Sequence, residues 1–119
     1  MNALPRLVVV ITGASGAVYA ARTLAFLKAE TNIEVDLVFS KTGRVVWNHE
    51  VQIDPESFGY RIWNPGDFTA PFASGSARVD AMLVIPCSAG CAARIAHGLS
   101  TDLVGRAADV MLKEKRRFR

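Results

Sequence analysis

Leu7-Val8-Val9-Val10-Ile11-Thr12-Gly13-Ala14-Ser15-Gly16-Ala17 decides the reading of this chain. Five consecutive apolar residues run into a turn of small residues, and Val18-Tyr19-Ala20-Ala21-Arg22-Thr23-Leu24 follows with helical spacing. A short unbroken apolar run is what a strand covered on both faces requires, and the glycines permit a tight turn into the helix. The first turn of that helix offers N–H groups without intrahelical partners and the positive end of the helix dipole, with the Ser15 hydroxyl beside them. Such a loop suits an anion such as a phosphate. The same arrangement also serves simply to turn a corner in an α/β sheet, and Gly13-Ala14-Ser15-Gly16-Ala17-Val18 lacks the third glycine of the dinucleotide fingerprint.

Outward from this stretch, the chain continues as an α/β pattern. Ala17 to Ala29 reads as a helix with Ala17, Ala21, Leu24, Ala25 and Phe26 towards a sheet. Ile33 to Phe39 reads as a second parallel strand, which makes a βαβ unit with a right-handed crossover. Ser40-Lys41-Thr42-Gly43 starts another helix that carries Val45, Val46 and Trp47 and ends at His49-Glu50. From Val51 to Ala77 periodicity is lost among prolines, glycines and aromatics, so this stretch is either a functional loop or hides an element. Ala81 to Ile85 reads as a third buried strand, and Cys87-Ser88-Ala89-Gly90-Cys91 repeats the logic of the first loop. A last helix is expected from Leu103 to about Lys115, with Leu103, Ala107, Val110 and Met111 inward.

The totals bound the function. At 119 residues, half of them hydrophobic, the chain suits one domain spanning 1–119. The net charge of +3 is local, because Lys113, Lys115, Arg116, Arg117 and Arg119 crowd the last seven residues. The remainder is slightly acidic, which argues against a nucleic-acid face and leaves a small anion, a helix end or a solvated tail. Cys87 and Cys91 are too few and too close for a disulfide framework. Neither a leader pattern nor a membrane-length apolar run is visible, so the expected setting is the cytoplasm, away from a membrane.

Ser15, Ser40 and Ser88 fall at the carboxyl ends of three strands, where open α/β sheets collect ligands. Together they suggest a rim for a phosphorylated planar molecule, although each serine alone reads equally as a helix cap. Glu50 is the candidate acid/base: it ends a helix that begins on that rim, and apolar neighbours such as Trp47 are expected to raise its pKa. His49 and His97 have no ligand partner at metal spacing, and no metal is expected.

Five segments, ITGASGAVYAARTL (Ile11 to Leu24), VFSKTGRVV (Val38 to Val46), APFASGS (Ala70 to Ser76), AMLVIPCSAG (Ala81 to Gly90) and RAADVMLKEKRR (Arg106 to Arg117), occur in an order and spacing that resemble the UbiX-type flavin prenyltransferases, also described as small subunits of aromatic acid decarboxylases. The resemblance implies a Rossmann-like, flavodoxin-like three-layer α/β fold with a parallel sheet that binds FMN. It implies transfer of a dimethylallyl group from dimethylallyl phosphate to FMN, giving prenylated FMN for a partner decarboxylase. Carried over by residue, Gly13, Ala14 and Ser15 would hold the flavin phosphate region, and Ser40, Ser88, Ala89, Gly90 and Cys91 would complete the FMN seat. Glu50 would transfer the proton with help from Ser15. Ala73, Ser74 and Lys113 would bind the prenyl phosphate, with Phe68 shielding the allylic cation. A homo-oligomer is implied as well.

Two departures qualify the resemblance. Cys91 stands where a threonine or other polar residue is expected, and the chain stops at Arg119 where the family continues, so the sheet is expected to be cut after the third or fourth βα unit. Such a cut would expose an apolar sheet edge. The alternatives are a non-catalytic FMN-binding or truncated module and a related flavin-dependent cysteine decarboxylase.

Overall fold

The computed structural model describes residues 4–119, so the first three residues of the expected 1–119 domain lie outside the described residues. Its elements run β1 (Arg6–Ile11), α1 (Ala17–Glu30), β2 (Glu34–Phe39), α2 (Lys41–Glu50), β3 (Arg61–Trp63), β4 (Ala81–Val84), α3 (Ala89–Ala96), α4 (Leu103–Lys113) and β5 (Arg117–Phe118). Short 3-10 turns occur at Pro55–Phe58 and Pro71–Ala73. The sheet order is β3-β2-β1-β4-β5 and every pairing is parallel. This is the three-layer, flavodoxin-like α/β architecture expected from the sequence. No helix among the described residues is long and apolar enough to cross a membrane.

The apolar run of β1 is explained by burial on both faces. Val8 and Val10 join a core with Val38, Met82, Phe72 and the inner side of α4, while Val9 and Ile11 join another with α1, Leu37, Phe39 and Trp47. Full burial of a side chain of this size contributes about 2 kcal/mol, so the central strand anchors both layers. Trp47 is wholly buried, stands edge-on to Phe39 at 5.5 Å between centroids, and donates its indole N–H to the Ile53 carbonyl at 2.8 Å. α1 turns in Ala17, Ala20, Ala21, Leu24 and Leu27, but Ala25 and Phe26 face outward, contrary to expectation. A helical turn of 3.6 residues cannot place both 24 and 26 on one narrow stripe.

The sheet has two strands that the sequence reading missed. The aperiodic stretch after α2 contains β3, whose Leu37↔Ile62 register adds it to the outer edge of β2. Its indole Nε1–H, from Trp63, reaches the buried Asp36 carboxylate at 3.0 Å, and Arg6 Nη2 reaches the same carboxylate at 3.0 Å. The cationic tail contains β5, paired as Ala81↔Arg117 and Met82↔Phe118, so the β4 edge is occupied by a strand. Strands of three and two residues carry no readable period, and the hydrogen-bonding edges of β2 and β4 recruit them. The turn into β5 also stops α4 at Lys113 instead of near Lys115: Lys115 takes φ 54°, Lys115 N–H bonds Leu112 O at 3.2 Å, and Arg116 N–H bonds Met111 O at 2.9 Å. This is a Schellman closure with lysine at the position glycine usually fills.

Gly43 shows how tightly α2 sits on β1. A Cβ there would run into the Ile11 carbonyl oxygen and come within 2.9 Å of the Ile11 carbonyl carbon, and backbone cannot move aside as a side chain can. Gly43→Ala is therefore expected to lower the unfolding free energy by about 3 kcal/mol, read as a drop in the urea midpoint at unchanged slope. A loss below about 0.5 kcal/mol would show that the close approach is not maintained in solution.

Candidate functional site

The carboxyl ends of β1, β2 and β4 form one rim, and strand order reverses direction between β1 and β4, where open α/β sheets open a crevice. Thr12, directly after β1, ties the two sides of that crevice together. Its hydroxyl donates to Pro86 O at 2.7 Å and accepts from Ser88 N–H at 2.8 Å, while its own N–H donates to Pro86 O at 3.2 Å. The Ile85–Pro86 peptide bond is cis. Sequence reasoning passed over Thr12; its one signal was a polar residue closing an apolar strand.

Each predicted serine has a defined task on this rim. Ser40 Oγ caps α2 by accepting from Gly43 N–H at 2.9 Å, and Ser88 Oγ caps α3 by accepting from Cys91 N–H at 3.2 Å. Ser40, Cys91, Thr12 and Asp102 line a common crevice. Beside it, a cleft of about 490 Å³ runs along Ser40, Lys41, Arg44, Trp63 and Pro65, within the size range of small-ligand sites. Gly13 packs against Thr42, leaving no room for a Cβ, and so holds the β1 turn against the start of α2.

Ser15 and Glu50 meet although 35 residues separate them. Ser15 Oγ donates to Glu50 Oε2 at 3.0 Å, and the N–H groups of Gly16 and Ala17 both donate to Oε1 at 3.1 Å. Gly16 makes this possible by taking φ 115°, which turns the two amides towards the carboxylate. Thus the first turn of α1, expected to face a flavin phosphate, holds an anion supplied by the chain itself. The expected upward shift of the Glu50 pKa is reversed: hydrogen bonds from Gly16 N–H first, then the Ser15 hydroxyl and Ala17 N–H, hold it below the ordinary carboxylate value. Trp47 does not produce the opposite effect, because its ring is buried beneath α2 while the carboxylate stands in solvent. With the Gly16 and Ala17 amides engaged, the first-turn N–H groups of α3, on Ala89 and Gly90, and of α2, on Lys41 and Thr42, are among the rim donors able to meet a ligand.

The residues carried over for the prenyl phosphate gather elsewhere. The segment from Pro65 to Gly75 descends along α4: Leu103 N–H bonds Pro65 O at 2.7 Å at the rim end, and Arg116 Nη2 bonds Gly75 O at 2.9 Å near the start of β5. Phe68 stands half exposed in this segment, Ala73 is buried and Ser74 is exposed, its hydroxyl 2.9 Å from that of Ser76. Arg106 Nε donates to Ala73 O at 2.9 Å, and Gly75, Arg106, Asp109 and Lys113 line a small cleft of about 140 Å³. Lys113 also pairs with Glu114 at 3.6 Å. Gly75, next to Ser74 in the chain, therefore stands beside Lys113 on the C-terminal half of α4, whereas Asp102, at the start of that helix, lines the rim crevice with Thr12 and Ser40. Arg106 and Arg116 were not singled out from the sequence; the spacing of Arg106 two helical turns before Lys113 was the available signal.

Comparison with known proteins gives the architecture a family. A sequence profile described as Flavoprotein matches residues 1–118. The chain belongs to the flavoprotein family. It is 41% identical over 116 residues to the flavin prenyltransferase UbiX of Archaeoglobus fulgidus, covering 95% of this chain and 63% of that protein. Similar structures include the dodecameric FMN-dependent UbiX-like decarboxylase from Escherichia coli O157:H7, with TM-score 0.90 and 40% identity over 95% of this chain and 63% of that one. Another is AnUbiX (PadA1) in complex with FMN and dimethylallyl pyrophosphate, with TM-score 0.92 and 39% identity over 98% of this chain and 63% of that one. This flavoprotein-family chain thus spans less than two thirds of the length of those relatives.

The Glu50 clamp makes a pH-dependent prediction. Because the folded pKa lies below the ordinary 4.5, the clamp is complete above that pH and is lost as pH falls through the folded value. The Gly16 and Ala17 amide resonances are expected to titrate together with a midpoint below 4.5, and Glu50→Gln to abolish the shared transition. Amides that titrate at or above 4.5 would mean that the carboxylate is not held as described.

Proposed function

We propose that this chain is the flavin-binding portion of a flavin prenyltransferase, which joins the dimethylallyl group of dimethylallyl phosphate to FMN and supplies the prenylated flavin to a partner decarboxylase. The observation that carries the reading is the Glu50 carboxylate held by Ser15 Oγ and two backbone amides at the carboxyl edge of β1. Support also comes from AnUbiX, whose structure holds FMN and dimethylallyl pyrophosphate and which shares this fold at 39% identity. The donor set fits FMN: the Ala89 and Gly90 amides and the Ser40 and Ser88 hydroxyls offer neutral donors at a helix start, and Thr12 fixes the crevice between β1 and β4. One protein unit spanning 1–119, placed in the cytoplasm, is part of the same proposal.

FMN, when bound, supplies the aromatic ring that receives the dimethylallyl group. Glu50 is a carboxylate at neutral pH, given the direction of its shift, so it enters the reaction able to accept a proton at Oε2, with Ser15 Oγ holding that oxygen in place. Gly13, Ala14 and Ser15, in the turn after β1, and Cys91, in the first turn of α3, would help to hold the FMN. Breaking the allylic C–O bond leaves phosphate, which the Lys113 ammonium and the Ser74 hydroxyl bind as its charge grows, beside Ala73 and with Phe68 against the allylic group. Asp102 at the start of α4 lines the rim crevice whereas Lys113 ends that helix, so the reading has Lys113 of one copy approach the rim of another, within a homo-oligomer.

The test is a fluorescence titration with FMN followed by dimethylallyl phosphate, with the flavin mass read after release. Saturable quenching and a flavin heavier by one dimethylallyl group are expected. Glu50→Gln is expected to keep FMN binding and lower product formation at least 100-fold, and Lys113→Met to act chiefly on the phosphate substrate's KM. Binding without product would leave an FMN-binding module; no FMN binding by a folded sample would overturn the proposal.

A further inference from the structure

The carbonyls on either side of Ser74 are each held by a guanidinium, from Arg106 and Arg116, and the proposed function gives neither arginine a task. We propose that Arg116 is a positioning residue for the phosphate end of the allylic substrate: it holds the Ala73–Gly75 turn against the end of α4, beside the Lys113 ammonium. The inference deepens the proposed function and rests on its assignment of Ser74 and Lys113 to the phosphate.

The hold begins in the backbone. Lys115, at φ 54°, closes α4, and Arg116 N–H returns to Met111 O at 2.9 Å. The next two residues, Arg117 and Phe118, pair with Ala81 and Met82 of β4. Arg116 is therefore anchored by a helix on one side and by the sheet on the other. From that place its Nη2 reaches Gly75 O, 41 residues away in the chain, at 2.9 Å in a part-buried bond. Nη1 of the same guanidinium is buried and has no hydrogen-bond partner among the described residues, so the Gly75 carbonyl is what orients the fork. A bond from a charged donor is stronger than one between neutral groups, which suits it to fixing an exposed turn.

The turn needs such fixing. Arg106 Nε donates to Ala73 O at 2.9 Å, and Ser74 stands exposed between the two held carbonyls. Its hydroxyl lies 2.9 Å from that of Ser76 and accepts from Ser76 N–H at 3.3 Å. Gly75 brings the turn against Lys113, since a Cβ there would come within 3.2 Å of Lys113 Nζ and 3.4 Å of Glu114 Oε2. Around the turn, Arg106, Lys113 and Arg116 face the carboxylates of Asp109 and Glu114, three cations against two anions, so the cluster stays positive. Lys113 and Ser74 remain open to solvent, whereas Arg116 is spent on the backbone: it sets where they stand. Met111 and Gly75, its two partners, do not line the rim crevice, so its loss leaves the FMN seat intact.

The experiment compares the 119-residue chain with Arg116→Met, Arg116→Lys and Phe118→Ala. Each is titrated with FMN and, once loaded, with inorganic phosphate; KM and kcat for dimethylallyl phosphate follow. Arg116→Met is expected to bind phosphate about tenfold more weakly and to raise KM about tenfold, with FMN affinity and kcat changed by no more than about twofold. Hydrogen exchange at the Ser74 and Ala77 amides, which bond Pro71 O and Ser74 O, is expected to be about fivefold faster in that variant. Arg116→Lys, which keeps the charge and a donor, is expected to lie between it and the unaltered chain. Phe118→Ala takes a β5 side chain from the core without touching the turn, so it should lower the urea midpoint and leave phosphate binding unchanged. Unchanged phosphate binding in both Arg116 variants would overturn the positioning role, and so would an equal loss in Phe118→Ala, which would make the effect one of stability. Faster exchange in Arg116→Met together with no phosphate binding by the unaltered chain would overturn the phosphate assignment of Ser74 and Lys113 and leave Arg116 a structural tie.

Discussion

The structure depends on a strand that has no free side. β1 is paired along both edges and covered on both faces, so its polar backbone is satisfied only if β2 and β4 are in register, and its side chains only if a helical layer covers each face. Parallel neighbours demand long crossovers, and those crossovers supply the two layers. Everything that leaves the carboxyl end of β1 inherits a fixed position: the Thr12 hydroxyl, the Gly13 contact with Thr42 and the Gly16 turn.

That fixed end explains how an exposed carboxylate can be held firmly. Glu50 lies in solvent, and three donors converge on it because β1 delivers the Ser15–Ala17 turn and α2, pressed on Ile11 through Gly43, delivers the acid. The chain thereby uses the positive end of α1 on its own glutamate, while the starts of α2 and α3 also face the rim. A carboxylate kept charged by hydrogen bonds suits proton acceptance better than the neutral acid that an apolar environment would have produced.

The cationic cluster obeys a different geometry. Arg106 and Arg116 are committed to carbonyls of the Ala73–Gly75 turn, which holds Gly75 beside Lys113 at the C-terminal end of α4. In the proposed chemistry this turn and Glu50 serve one site, and the proposal has assembly of several copies bring them together.

The sequence by itself determined the apolar strands, the small-residue turns after them, the caps at Ser40 and Ser88, and the choice of Ser15 and Glu50, because each depends on a local pattern or a motif of a few residues. Tertiary structure alone decided the strands β3 and β5, whose few residues become extended only because the β2 and β4 edges offer hydrogen bonds. It alone decided the tie through Thr12 and the direction of the Glu50 pKa shift, since both are set by groups dozens of residues distant in the chain. The division follows the range of the forces: periodicity and capping are written within a turn or two of sequence, whereas hydrogen bonds between rim loops and the distance from Glu50 to Lys113 exist only once the sheet has brought those loops together.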